Sequence, residues 1–524
     1  MRMSRGILRS GVLLPVMLGG CDWWPLPPPN YMTGETVDTD ATGSSVSTGD
    51  APTGTGMGSS PPTSDGTATT TGSEESTASS GPGATGSDST TDGCPVAWEN
   101  CEPLDGIDDN CDEINVCEGT LKPAGEVYGP TIFDQHVVPV EGGPLGSFFA
   151  TIHFIGDIGV PPLPNTAKKS LVIVRYVAGT GTLTIEDSDP DVDALAFDHA
   201  AGRSFMVTRT ALGVHRLFEF AGGTLTHVPV ALEDFDRVDA IAVTEEQVVI
   251  VGECAAETCV GSVALASETL TVRTLVDQAN LLVRDVLVFE GMDRLVVLGF
   301  VGATATIVRA ALPTDPLDLD PIWTSSQMFA GNLQLSHLAW DNTPGLFHAA
   351  GKAVGNVVGF GAASTVVGDV MCGVSSADMV VGRFNVIAAG EPDRSVRSDC
   401  ADAARSLAVE GLAVEPTGDL VVTGNYSKVL AFELTTTAVG GQPGGPALFV
   451  LRLPAAYEVE PLRWLHLAKP TAIGFSTGES IGLDPQHVIV AARFRDAAME
   501  LQMEPFPPNP ALDQFSGVLL PLFP

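Results

Sequence analysis

One short strand is written three times at a constant interval. Asp193-Ala-Leu-Ala-Phe197, Asp239-Ala-Ile-Ala-Val243 and Asp285-Val-Leu-Val-Phe289 follow one another at spacings of 46 and 46 residues. Counting back by the same step lands on a similar strand, Ser147-Phe-Phe-Ala-Thr151. Going forward, Ser336-His-Leu-Ala-Trp340, Glu410-Gly-Leu-Ala-Val414 and Glu479-Ser-Ile-Gly-Leu483 follow by 51, 74 and 69 residues, and Glu479 to Pro524 is again 46 residues. An internal period of this size limits a chain to repeat architectures, because one unit cannot bury both faces of its own sheet.

Further strands recur in order within each unit. The second reads Arg203–Thr208, Gln247–Gly252, Arg294–Gly299, Asp419–Gly424 and Gln486–Ala491. The third reads Leu171–Tyr176, Ala305–Ala310, Met379–Phe384 and Ala447–Leu453, and the fourth Thr182–Ile185, Thr224–Val228 and Thr269–Arg273. Their apolar runs are nearly continuous, as expected where both faces of a strand are covered. Four short strands per unit at this period specify an all-β fold, a seven-bladed β-propeller over residues 124–524. A pair of β-sandwiches would leave the equal spacing unexplained.

Units five and six carry a more specific likeness. Gly418 to Tyr426, Ala431-Phe432, Gly440-Gly441 and Ala447 to Leu453 resemble the bacterial seven-bladed propeller repeat (SBBP), with Leu346 to Phe384 a weaker match. The resemblance implies the propeller fold and no catalytic residues.

The N-terminal segments are not part of the repeat. Arg2, Arg5 and Arg9 precede a short apolar run, Gly11 to Leu18, with the proportions of an export signal over residues 1–20. It ends in Leu18-Gly19-Gly20-Cys21, which resembles a bacterial lipobox, and the resemblance implies diacylglycerol on Cys21 as the first mature residue. Trp23 and Trp24 beside it suit the headgroup region. From Tyr31 to Gly93, 40 of 63 residues are Ser, Thr or Gly, too polar to offset ordering entropy, so residues 21–93 are expected to be a disordered tether. The expected location is the bacterial cell envelope, outer membrane or cell surface, with the lipid as the contact with the membrane.

Residues 94–120 form a small Cys/Asp-rich module. Cys94, Cys101, Cys111 and Cys117 are read as two disulfides of open connectivity in an exported segment too small for a core. Its run Asp105 to Asp112 is similar to an Asp-rich metal-binding element of bacterial surface proteins. That likeness implies Ca²⁺ held by Asp105, Asp108, Asp109 and Asp112, although Glu113-Ile114-Asn115 stands where the element continues with Gly. Two more pairs, Cys254 with Cys259 and Cys372 with Cys400, complete an even set within the repeat.

Asp+Glu is 64 against Lys+Arg 26, a formal charge of -38, which excludes a phosphate backbone as partner. In a propeller the first strand of each blade lines the axis. The equivalent starts include Asp193, Asp239, Asp285, Glu410 and Glu479, an expected partial carboxylate ring at one channel mouth, where crowding raises pKa values or draws a cation. Equally, an Asp that begins a strand bonds the preceding turn. Gly474-Phe-Ser476-Thr-Gly478 spells a nucleophile elbow, but a strand and not a helix is expected after it. No metalloprotease helix, haem-attachment or phosphate-loop motif occurs. The expectation is a non-catalytic surface lipoprotein that binds a protein or glycan, with an extracellular propeller hydrolase or lyase as the alternative.

Overall fold

The computed structural model describes residues between Gly125 and Leu522. Outside the description lie residues 1–124 and stretches of the connections, the longest being 156–168, 355–376, 399–406, 427–445, 456–463 and 507–515. Seven four-stranded antiparallel sheets form the blades. Blade one is Ile132–Pro139, Ser147–Ile155, Lys169–Val177 and Thr182–Pro190; blade two is Val192–Ala200, Arg203–Thr210, His215–Ala221 and Thr224–His227. Blade three is Arg237–Val243, Gln247–Cys254, Glu257–Ala264 and Thr269–Thr274; blade four is Leu281–Phe289, Arg294–Val301, Thr304–Ala311 and Thr324–Met328. Blade five is Leu333–Trp340, Leu346–Val354, Ala377–Asn385 and Arg394–Arg397; blade six is Leu407–Val414, Leu420–Tyr426, Ala447–Leu453 and Trp464–Leu467. Blade seven has three C-terminal strands, Phe475–Asp484, His487–Arg495 and Ser516–Leu522, and takes its outer strand, Gly125–Tyr128, from the opposite end of the chain.

The second, third and fourth strands read from the repeat all lie where expected. The first strand of unit one does not. Ser147 begins the second strand of blade one, and the innermost strand is Ile132–Pro139. Ser147-Phe-Phe-Ala-Thr151 matches the pattern because any strand covered on both faces reads as a continuous apolar run.

Burial peaks in the middle strands of the blades and is lower both in the innermost strands along the channel and in the outer ones. Leu420–Tyr426 and Ala447–Leu453, the middle strands of blade six, are buried throughout, whereas the outer Thr224–His227 and Thr324–Met328 are mostly exposed and rich in Thr or polar residues. Each apolar core lies between two consecutive blades. Phe205, Val207 and Leu217 of blade two meet Val238, Ile241 and Ile250 of blade three. Ile489, Ala491 and Leu519 of blade seven meet Phe148, Ile152 and Tyr176 of blade one, which closes the ring. One sheet therefore depends on its neighbours for both of its faces.

All seven innermost strands carry a bulge at the same height. It falls at Asp134, Leu195, Asp239, Arg284, Ser336, Glu410 and Glu479. In four blades the residue facing the position before the bulge is a glycine: Gly252, Gly299, Gly351 and Gly424. The bulged backbone crowds that spot; a Cβ on Gly424 would sit inside van der Waals contact with the Ala408 carbonyl oxygen.

Candidate functional site: the axial channel

The innermost strands enclose a cavity of about 680 Å³ along the axis. Each strand turns an unpaired edge toward it, with main-chain groups that need partners. Side chains from neighbouring blades supply them. The Asp198 carboxylate accepts a hydrogen bond from the Val243 N–H at 2.7 Å, joining blades two and three. Asp285 accepts from the N–H groups of Val286 (2.8 Å) and Leu338 (2.7 Å), joining blades four and five. Ser336 donates to the Val409 carbonyl at 2.9 Å, joining blades five and six, and Ser480 accepts from the Val137 N–H at 3.2 Å, joining seven and one.

These positions shift the titration of the groups that hold them. Burial pushes the Asp198 carboxyl up to about 6 against the hydrogen bonds from Val243 and His199. Asp285 goes up to about 7, through burial first and the negative charge of Asp198 last. Burial takes His337 down to about 4, against a hydrogen bond with Val409.

The end of the channel at the bulges is charged. Arg237 bonds Asp239 at 2.6 and 3.0 Å and pairs with Glu253 at 2.6 Å. Glu479 pairs with Arg493 at 2.6 Å. Burial lowers the Lys352 ammonium, and the nearby charge of Glu410 opposes that. Arg284 is exposed, with its guanidinium 5.7 Å from the Phe300 ring centroid.

Of the residues expected to ring the mouth, Asp239, Glu410 and Glu479 occupy the bulge itself. Asp285 is one residue past it. Asp193 lies two residues before the bulge at Leu195, opposite Arg209 in register. Equal sequence spacing and equal height differ here because the hairpins and connections of blades two to four differ in length.

The opposite end is mostly apolar: Pro139, Ala200, Val243, Trp340, Val414 and Leu483 line it, with His199 and Asn342 beside them and the Asp198 carboxylate held on the Val243 N–H. Beyond it lie three acids that the sequence reading missed. Asp341 pairs with His348 at 2.8 Å, Glu415 with Arg452 at 2.6 Å, and Asp484 with His487 at 2.9 Å while accepting the Gly146 N–H at 2.6 Å. Burial would raise Asp341, but hydrogen bonds from His348 and Thr343 outweigh it and hold the carboxyl well below its ordinary range. The signal available was an acid closing the innermost strand in blades five, six and seven.

Other sequence candidates fall as follows. Cys254 and Cys259 are joined, with sulfurs 1.93 Å apart, across the hairpin of blade three. Ser476 lies on the innermost strand of blade seven, where its hydroxyl accepts the Leu448 N–H at 2.8 Å, and a strand follows. That is a structural role and not a nucleophile elbow. Among the described residues, no three His, Cys, Asp or Glu side chains gather as a metal site. Cys21, Cys94, Cys101, Cys111, Cys117, Cys372, Cys400 and the run Asp105, Asp108, Asp109 and Asp112 lie outside the described residues.

No family model and no curated protein matches the chain. Solved structures similar to it include the periplasmic gluconolactonase of Pseudomonas aeruginosa, at 12% identity and TM-score 0.41, covering 74% of this chain and 99% of that one. The β-propeller domain of the Trilobed protease from Pyrococcus furiosus is 9% identical at TM-score 0.37, covering 73% and 100%. YCF48 from Cyanidioschyzon merolae is 8% identical at TM-score 0.40, covering 78% and 99%. The neighbours thus include an enzyme and propellers of other kinds, and no activity is carried over from them.

Proposed function

We propose that this chain is an exported, lipid-anchored binding protein of the bacterial cell envelope, whose propeller is a non-catalytic head. The observation that supports this reading is the state of the carboxylates lining the channel. Asp198 and Asp285 are spent on main-chain N–H groups, Asp239 on Arg237 and Glu479 on Arg493, and Glu410 lies near Lys352. A hydrolase working by acid and base needs carboxyl groups poised on the substrate. Here they hold strands together and leave a rigid cavity of a size suited to a ligand.

The test uses the full mature chain against arrayed envelope glycans and proteins, read for retention and for released product. Retention without product, lost when Ala413→Trp fills the channel, supports the reading. Product formation that disappears with Asp285→Asn overturns it in favour of the enzyme. The anchor is tested by labelling cells with a radioactive fatty acid; equal label in wild type and Cys21→Ser would remove it. Ca²⁺ on Asp105, Asp108, Asp109 and Asp112 belongs to the same proposal. It calls for calorimetric titration with Ca²⁺, where unchanged heat in Asp108→Asn counts against it.

A further inference from the structure

The apolar end of the channel has a feature that the charged end lacks. The Trp340 indole is 46% exposed on the rim of the cavity. It is not a loose side chain. Its ring lies 4.6 Å from that of Phe289, which meets Phe347 at 6.3 Å, and Phe347 stacks on Phe384 at 5.6 Å. A row of aromatic rings therefore runs back through the interface of blades four and five and holds the indole in one orientation. A half-open indole held on so well packed a support offers a flat, fixed face to a ligand in the channel.

Beside it stands a fixed polar group. Asn342, exposed on the same rim, donates from Nδ2 to the carbonyls of Glu415 (3.0 Å) and Pro416 (2.9 Å). Both donations fix the amide plane and leave Oδ1 as an acceptor. The acids beyond this end are matched within the protein, Asp341 with His348, Glu415 with Arg452 and Asp484 with His487, and the carboxyl at this end, Asp198, is held on the Val243 N–H, so among the described residues no cation here awaits an anionic ligand. The occupant that complements this end is therefore uncharged, offers hydroxyl donors, and has a flat C–H face for the indole.

We propose that the Trp340 end of the channel binds a neutral sugar ring, the pyranose face lying on the indole and a ring hydroxyl donating to Asn342 Oδ1. This rests on the reading of the propeller as a binding head and names its ligand class. A phenylalanine side chain of a protein would cover the indole but leave the Asn342 acceptor unpaired on burial, and a tyrosine or tryptophan would offer it a single donor where a sugar ring offers several hydroxyls.

The test is a fluorescence and calorimetric titration of the full mature chain with cellotriose, maltotriose, xylotriose and chitotriose, alongside an array of neutral and acidic glycans. One neutral sugar is expected to bind and to shift the tryptophan emission. Trp340→Ala weakens that binding about tenfold or more, as truncation of an aromatic anchor does. Trp340→Leu, which keeps the apolar cover, loses binding while its melting stays at wild type. Trp464→Phe, on the outer strand of blade six, leaves the affinity unchanged. The inference is overturned if no neutral glycan binds, or if binding survives both Trp340 substitutions. Should Ala413→Trp abolish retention of a protein partner while no sugar binds, this inference falls and the binding reading stands. Turnover of a glycan instead removes the binding reading.

Discussion

The carboxylate of Asp285 in blade four accepts the main-chain N–H of Leu338 in blade five at 2.7 Å, so one side chain joins two innermost strands across the channel wall. Asp198 does the same for Val243. These contacts give the ring its polar stitching, and they carry a pH dependence with a definite sign.

Asp198 and Asp285 are raised to about 6 and about 7 from an ordinary value near 3.8. Their contribution to stability is complete below about pH 4 and is lost as the pH rises through 6 and 7. His337, held down to about 4 from 6.5, acts oppositely: its contribution is present above 6.5 and is lost as the pH falls toward 4. The two slopes oppose each other in one window. Asp285→Asn leaves the opposing slopes of Asp198 and His337 nearly cancelling, so its stability is expected to stay almost flat from pH 4 to 6.5, whereas His337→Phe falls more steeply than wild type from 4 to 7. Each should depart from wild type by about 1–3 kcal/mol across the window, trimmed by water in the channel. Parallel curves for wild type and Asp285→Asn would refute the assignment.

The bulge makes Gly424 a steric requirement. A methyl group there meets the Ala408 carbonyl, and Gly424→Ala is expected to cost about 2–3 kcal/mol. Denaturant unfolding checks it, and a variant as stable as wild type would mean that the innermost strand of blade six runs unbulged.

Arg452 lies between two acids, 2.6 Å from Glu415 and 3.3 Å from Asp419, with side-chain exposures of 4%, 3% and 4%. Arg452→Met strands both buried charges, a loss of about 3–5 kcal/mol. Adding Glu415→Gln and Asp419→Asn should restore most of it. If the triple variant is no more stable than the single one, packing and not charge is what Arg452 supplies.

The hairpin closed by Cys254 and Cys259 turns through Ala255 and Ala256, both left-handed, with φ of 50° and 67°. Two-residue turns of this hand favour Asn-Gly. Asp236 accepts the Ala255 N–H at 2.7 Å and supports the turn. Ala256→Gly is expected to stabilise by about 1 kcal/mol, seen as a higher melting temperature. A lower melting temperature would show that the turn bears no strain at that residue.

The repeat was legible where each strand announces itself locally. Gln247–Cys254 and Arg294–Val301 each run four apolar residues into the glycine that faces the residue before the bulge, Gly252 and Gly299. Ile132–Pro139 was not legible as an innermost strand: it carries an acid at the bulge, Asp134, but Gln135 and His136 replace the small and apolar residues of its counterparts and it lies off the 46-residue step, so Ser147–Ile155 took its place in the count. Within the channel, Asp239, Glu410 and Glu479 could be aligned by pattern. The trios and pairs at the other end could not, because Arg452 and Glu415 come from different strands and their meeting depends on hairpin length.

The amino-acid order by itself determined the strands, their succession and the count of seven units, because an apolar run bounded by turn residues states its own burial. That Ile132–Pro139 and not Ser147–Ile155 faces the axis in blade one, and which carboxylate reaches which neighbouring N–H, only the closed ring decided. Closure pairs Gly125–Tyr128 with Ser516–Leu522, a contact between opposite ends of the described chain. No local pattern encodes that pairing; the cores between blades enforce it, since the first and last sheets would otherwise each leave an apolar face in water.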